Sequence, residues 1–284
     1  MLILLSPAKT LDYDTPVPLA LRKKASEPLY AERAAELIAE LRHRTPAQVA
    51  SLMDLSDALA ALNVDRYAAW QRQATPRNSK PALLAFNGDV YDGLDARSLK
   101  TADFSWAQQH LVILSGLYGV LRPLDRLQPY RLEMGTALRN RAGKDLYAYW
   151  GDSLAEYLNE REAEDEMPLL LNLASVEYAR AALRPTLRAR VLDCVFEERQ
   201  IDGSHKVISF FAKKARGMMA RFAIQRRLRN FRALQSFDAD GYAWCREAST
   251  PRRWVFRRDA QTGTVGQTRS AATESSLSAR RAIP

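Results

Sequence analysis

Short apolar runs closed by turn residues recur along the chain, at Leu2–Leu5, Ala82–Phe86, Leu111–Leu114, Leu169–Leu173, Val191–Phe196 and Val207–Phe211. Each has the length of a buried strand, about four to eight residues. Between the early ones, Tyr30–Leu41, Pro46–Met53 and Leu146–Leu158 place apolar residues three and four apart, the period of helices packed on one side. The alternation predicts an α/β (mixed α+β) fold, a single domain with a central mixed sheet flanked by helices. Leu2–Leu5 and Leu169–Leu173 are expected as interior strands, because unbroken apolar runs suit strands covered on both faces. The acidic run Glu160–Glu166 reads as a solvated helix end. Past residue 258 the chain becomes rich in Ser, Thr and Ala, so residues 1–258 are expected to fold and 259–284 to form a flexible low-complexity tail.

A second helical period runs from Phe211 to Leu228, with Phe211, Ala215, Met218 and Phe222 on a stripe expected to face the core. Lys213, Gly217 and Arg221 share another face, with Lys214 and Arg216 beside them, so cations surround small residues where a phosphate could approach the helix. Charge reinforces this. Residues 1–202 carry 25 Lys/Arg against 28 Asp/Glu, whereas 203–237 carry nine basic residues and no acidic one. A one-sign block in a chain of net charge +9 concentrates polyanions, nucleic acid foremost. The plainer alternative is an amphipathic helix with a solvated basic face.

Ser115–Gly135 (SGLYGVLRPLDRLQPYRLEMG) crowds Arg122, Arg126 and Arg131 among glycines, prolines and tyrosines. Such punctuation stiffens a loop, and a stiff loop presents guanidinium forks to phosphate or carboxylate at low entropic cost. Asp125 and Glu133 neutralise part of that charge in the competing, purely structural reading. Asp89 and Asp92, between two glycines in FNGDVYDGL, are placed to bind a metal or for general acid–base work, or else to cap the next helix or order a turn. Leu59–Asn63 reads as the apolar-x-Gly-apolar-Gly turn of a helix-hairpin-helix, with Ala61 and Asn63 at the glycine positions. An ordinary helix pair is the alternative.

The three histidines are scattered, and Cys194 and Cys245 have no spaced partner, so neither a metal site nor a disulfide framework is indicated. Both thiols are expected to be buried. No P-loop, G-x-G-x-x-G or G-x-S-x-G motif is present, and no cofactor is expected. The first apolar run is too short to cross a membrane and lacks a basic leader, which suits a cytoplasmic protein without membrane contact.

MLILLSPAKTLDY, FNGDVYDGL, LSGLYGVLRPLDRLQPYRLEMG, KDLYAYWGD, NLASVEY and ISFFAKKARGMMARF, in this order, resemble the YaaA family of bacterial peroxide stress resistance proteins. The resemblance spans residues 1–258. It implies a cytosolic protein made under hydrogen peroxide stress that limits damage from unincorporated iron. It also implies a family-specific mixed α/β fold, a positively charged cleft, a helix-hairpin-helix element and DNA binding. Direct iron storage would need carboxylate, His or Cys ligand clusters, which the sequence does not display.

Two functions follow. In the first, Lys213, Lys214, Arg216 and Arg221, with Arg122, Arg126 and Arg131, bind phosphates of double-stranded or distorted DNA with little sequence specificity. In the second, an enzyme acts on a nucleotide or nucleobase between the two basic segments. Asp89, Asp125 or Glu133 is then the acid or base, and Tyr118 or Tyr130 stacks on the base.

Overall fold

The structure, a computed structural model, describes residues 1–163 and 168–259. Strands β1 (Leu2–Leu5), β2 (Leu111–Ser115), β3 (Gly119–Leu121), β4 (Leu169–Asn172), β5 (Arg190–Arg199), β6 (His205–Lys206), β7 (Ala243–Thr250) and β8 (Arg253–Arg258) form one mixed sheet. Its spatial order is β7-β8-β5-β4-β1-β2-β3, with β6 paired to the end of β5. The five central strands run parallel, and β3 and β7 are antiparallel edges.

Parallel neighbours require crossovers, which helices supply. These are α1 (Ala31–Arg42), α2 (Pro46–Met53), α3 (Asp57–Ala69), α4 (Asp89–Leu94), α5 (Thr101–His110), α6 (Leu146–Trp150), α7 (Ser153–Arg161), α8 (Val176–Ala182) and α9 (Ser209–Gln225). With both faces covered, β1 is wholly buried, as are β2 and most of β4. The two runs expected as interior strands are therefore interior strands. Along β5, Leu192, Cys194, Phe196 and Glu198 alternate inward, and Phe196 packs with Phe237, Tyr242 and Phe256. Glu198 is tolerated there because Arg258 and Tyr242 both donate to its carboxylate.

Four local expectations are corrected. Ala82–Phe86 is not a strand of the main sheet: Ala82–Ala85 forms one buried helical turn after Pro81, and Phe86–Asn87 pairs only with Thr10–Leu11. An apolar run buried on every side carries no periodicity to separate strand from helix. Val207–Phe211 is no strand either, because it leaves β6 and opens α9 with Val207, Ile208 and Phe210 exposed. The hairpin turn is misplaced, since Leu59–Asn63 lies inside α3 and the turn joining α2 to α3 is Asp54–Ser56, with Asp54 left-handed at φ 51°. Cys194 is buried as expected, but Cys245 lies half-exposed on edge strand β7. The tail at 260–284 lies outside the described residues.

Candidate functional site

The sheet reverses its winding between β1 and β4. The chain leaves β1 toward β2 on one side and leaves β4 toward β5 on the other, and the carboxyl ends of two strands at such a switch point are where open α/β sheets usually hold a ligand crevice. The first polar residues past each strand meet there. Ser6 Oγ accepts from Ser175 N (2.8 Å) and lies 3.3 Å from Ser175 Oγ. The Tyr91 hydroxyl donates to Ser6 O at 3.0 Å. Asn172, the last residue of β4, donates from Nδ2 to Asp193 Oδ1 at 2.7 Å and accepts from Ala174 N at 3.1 Å.

Two walls rise beside the Ser6–Lys9 turn. On one, Gly116 lets the backbone at Leu132–Glu133 pack directly against the end of β2: a Cβ there would lie 3.0 Å from the Leu132 carbonyl carbon. That approach carries Glu133 to Lys9 (3.2 Å), while Arg131 grips the other carboxylate oxygen at 2.9 Å. Arg66 stands near Arg131. Burial lowers its pKa, the Arg131 charge adds to that, and Tyr13 and Tyr67 oppose it. Glu177 accepts from Gly135 N at 2.7 Å.

The other wall is α4 crossed by α9, where Gly93 and Gly217 bring the two backbones together. A Cβ on Gly217 would lie 2.7 Å from Leu94 N and overlap the Val90 carbonyl oxygen. The small-residue face of α9 is thus filled by α4, which overturns the expectation of an open phosphate approach around Gly217. The predicted core stripe is also broader than expected: Ala215 is buried and Phe211, Met218 and Phe222 partly so, while Ala212, Met219, Ala220, Ala223 and Ile224 lie deepest.

Among these cations, Lys213 stands 3.7 Å from Asp89. Arg221 is committed to structure, its Nη1 donating to the carbonyls of Leu94 (3.0 Å) and Asp95 (2.8 Å) at the end of α4. Lys214 and Arg216 are different. Neither makes a hydrogen bond or ion pair with a described residue. The Arg216 guanidinium is half-buried, so desolvation lowers its pKa, with the Asp193 and Cys194 side chains pulling the other way.

The model of the family described as peroxide stress protein YaaA matches residues 1–248. The chain belongs to this family. It is also similar to UPF0246 proteins of Leptothrix cholodnii (63% identical over 258 residues, 91% of this chain and 98% of that relative), Albidiferax ferrireducens (57% over 258, 91% and 98%) and Variovorax paradoxus (56% over 261, 91% and 99%).

In this YaaA-family protein the residues singled out from sequence fall into two groups. Lys213, Lys214, Arg216, Arg131, Asp89 and Glu133 belong to the walls of the β1–β4 crevice. Arg122, Asp125 and Arg126 do not, because β3 runs back along β2 and carries them toward the amino ends of the parallel strands. There Asp125, 1% exposed, accepts from Ser26 Oγ at 2.7 Å and pairs with Arg122 at 2.9 Å, and Arg126 pairs with Glu27 at 3.2 Å. Asp125 has no solvent path as an acid or base. Nor can Tyr118 or Tyr130 stack on a base, since both are buried, edge to face with each other, and bonded to Trp70 Nε1 and Ser115 Oγ.

Ser6, Lys9, Asn172, Ser175, Asp193 and Arg66 were missed by sequence reasoning. A usable signal existed for the first four, as each lies at or just past the end of a buried apolar strand. No helix among the described residues is long and apolar enough to cross a membrane, and none of their His, Cys, Asp or Glu side chains gather in threes as metal ligands.

Proposed function

We propose that this peroxide stress protein acts in the cytoplasm by binding DNA phosphates at the β1–β4 crevice, with little sequence specificity. The DNA it covers is thereby shielded from iron-dependent damage. The observation that carries this reading is Arg216, a half-buried guanidinium with no hydrogen bond or ion pair to any described residue, beside unpaired Lys214. The Asp193 carboxylate offsets that charge only from beyond ion-pair distance, so the donors of the guanidinium stay free for an anion. Lys213, Lys9 and Arg131 stand on the adjoining walls, each sharing a carboxylate that a polyanion would compete with.

Anisotropy titrations of a labelled duplex at several salt concentrations test this. Lys213→Gln with Lys214→Gln should weaken binding at every sequence and make the slope of log affinity against log salt shallower by about 0.9 per lost contact. Adding Arg216→Gln should weaken it further. Bound duplex should also be nicked less than free duplex by ferrous iron and peroxide. A parent protein without salt-dependent binding removes the proposal.

A second reading, an enzyme acting on a nucleotide or nucleobase, is favoured by Asp89 and Glu133 flanking the Ser6–Lys9 turn from opposite sides. Binding that survives Asp89→Asn and Glu133→Gln supports the first reading. Turnover of a nucleotide that these variants abolish supports the second.

A further inference from the structure

The ledge formed by β6 and the start of α9 holds the most exposed apolar group among the described residues. Ile201 at the β5–β6 turn is fully exposed, Val207 and Phe210 are more than half exposed, and Ile208 more than a third. Scattered apolar residues on a surface need no explanation, but these belong to one short segment. The ring of Phe210 packs edge-on against Phe211 at 5.5 Å. Phe211 lies under the Arg258 guanidinium at 4.7 Å, and Arg258 donates to the buried Glu198 carboxylate at 2.7 Å. The exposed ring thus rests on a fixed base.

Its neighbours are cationic. Lys213 and Lys214, three and four positions on, share its side of α9, and Lys206 precedes it. The acidic residues nearby are engaged: Asp202 accepts from the Ser204 backbone and hydroxyl, Asp89 stands by Lys213, and Asp259 pairs with Arg199. A second protein surface of apolar character would have to desolvate these lysines. A nucleic acid would not, because its phosphates match the lysines while its bases offer flat apolar faces.

We propose that Phe210, with Ile208 beside it, is a wedge that stacks on an unpaired or unstacked base of DNA while Lys213 and Lys214 hold the flanking phosphates. This rests on the DNA-binding reading and goes beyond it, because it selects distorted over regular duplex. The discrimination comes from the energy of unstacking, already spent in a bulge or mismatch.

The test compares a perfect duplex with the same duplex carrying a central bulge that contains 2-aminopurine. Parent protein should prefer the bulged duplex and change the 2-aminopurine fluorescence. Phe210→Ala should lose about 10-fold in affinity for the bulge, the scale of one stacked base, with affinity for the perfect duplex held within about twofold. Phe210→Trp should restore the preference. The melting temperature of Phe210→Ala checks that α9 is intact. Equal loss on both duplexes, or no loss on either, overturns the wedge and leaves phosphate binding standing; a parent that binds neither duplex overturns both. If Phe210→Ala instead converts a dimer to a monomer in sedimentation with its DNA preference unchanged, the patch is a contact between copies and the proposal is wrong.

Discussion

Gly217→Ala inverts the usual effect of replacing a helical glycine. In an exposed helix that change stabilises by about 1 kcal/mol, because alanine loses less conformational freedom on folding. In α9 the added methyl would lie 2.7 Å from Leu94 N and 2.8 Å from the Val90 carbonyl carbon, and overlap the Val90 oxygen. These are backbone atoms of α4 and cannot rotate aside. Clearing the overlapped Val90 oxygen needs the helices to part by well over about 1 Å, so the packing cost sits at or above the upper end of about 1–3 kcal/mol in a dense interior. Set against the helix-propensity gain of about 1 kcal/mol, the net effect is a destabilisation of about 2 kcal/mol, or a melting temperature lower by about 4–8 °C for a domain of this size. Parting the helices also draws Arg221 away from the carbonyls of Leu94 and Asp95, so the loss should fall toward the upper end. Gly93→Ala meets the same crossing from the other side, 2.9 Å from the Lys214 carbonyl carbon, and should behave alike. Because the two substitutions strain one contact, their effects should not add. Differential scanning fluorimetry with urea titration reads the outcome. A Gly217→Ala protein as stable as the parent, or more stable, would refute the close crossing and with it the placement of Lys214 and Arg216 over the crevice.

Arg221→Gln should cost about 1–3 kcal/mol through loss of its charge-assisted bonds to the end of α4, with the DNA salt slope unchanged, which urea denaturation and titration together would check. Asp12→Asn should destabilise by about 3–5 kcal/mol, because Lys80, 3% exposed, would keep its charge without its carboxylate. Burial works against ionising Asp12, but the Thr15 backbone and hydroxyl and the Lys80 ammonium together hold its pKa well below the ordinary 3.8. Its stabilisation is therefore present above that ordinary value and lost as pH falls toward the depressed one. The gap between parent and Asp12→Asn, measured by urea denaturation, should be full at neutral pH and shrink below about pH 4. Burial pushes the Cys194 thiol up, so iodoacetamide should label Cys245 alone in the folded protein and both after unfolding, as read by mass spectrometry.

The chain's own pattern determined the class of fold and the interior strands. Leu2–Leu5 and Leu169–Leu173 are apolar without interruption, and only a strand covered on both faces accepts that. Local chemistry likewise determined α2, where Thr45 and Gln48 cap each other's backbone N–H and Pro46 opens the helix. It also marked the block from Gly203 to Phe237 as a one-sign surface. What tertiary structure decided is which of these charges stand together. Arg122 and Arg131 are nine residues apart in one stiff loop, yet β3 doubles back along β2 and sends the first to the amino ends of the parallel strands while Gly116 holds the second at their carboxyl ends. Arg216 and Arg221 look alike on one helix, but α4 occupies the second and leaves the first unpaired. Ser6 and Ser175 are 169 residues apart and meet only because β1 and β4 pair in parallel. Periodicity reports the face a residue presents to its own element. Strand order and helix crossings, set by long-range packing, choose what that face meets.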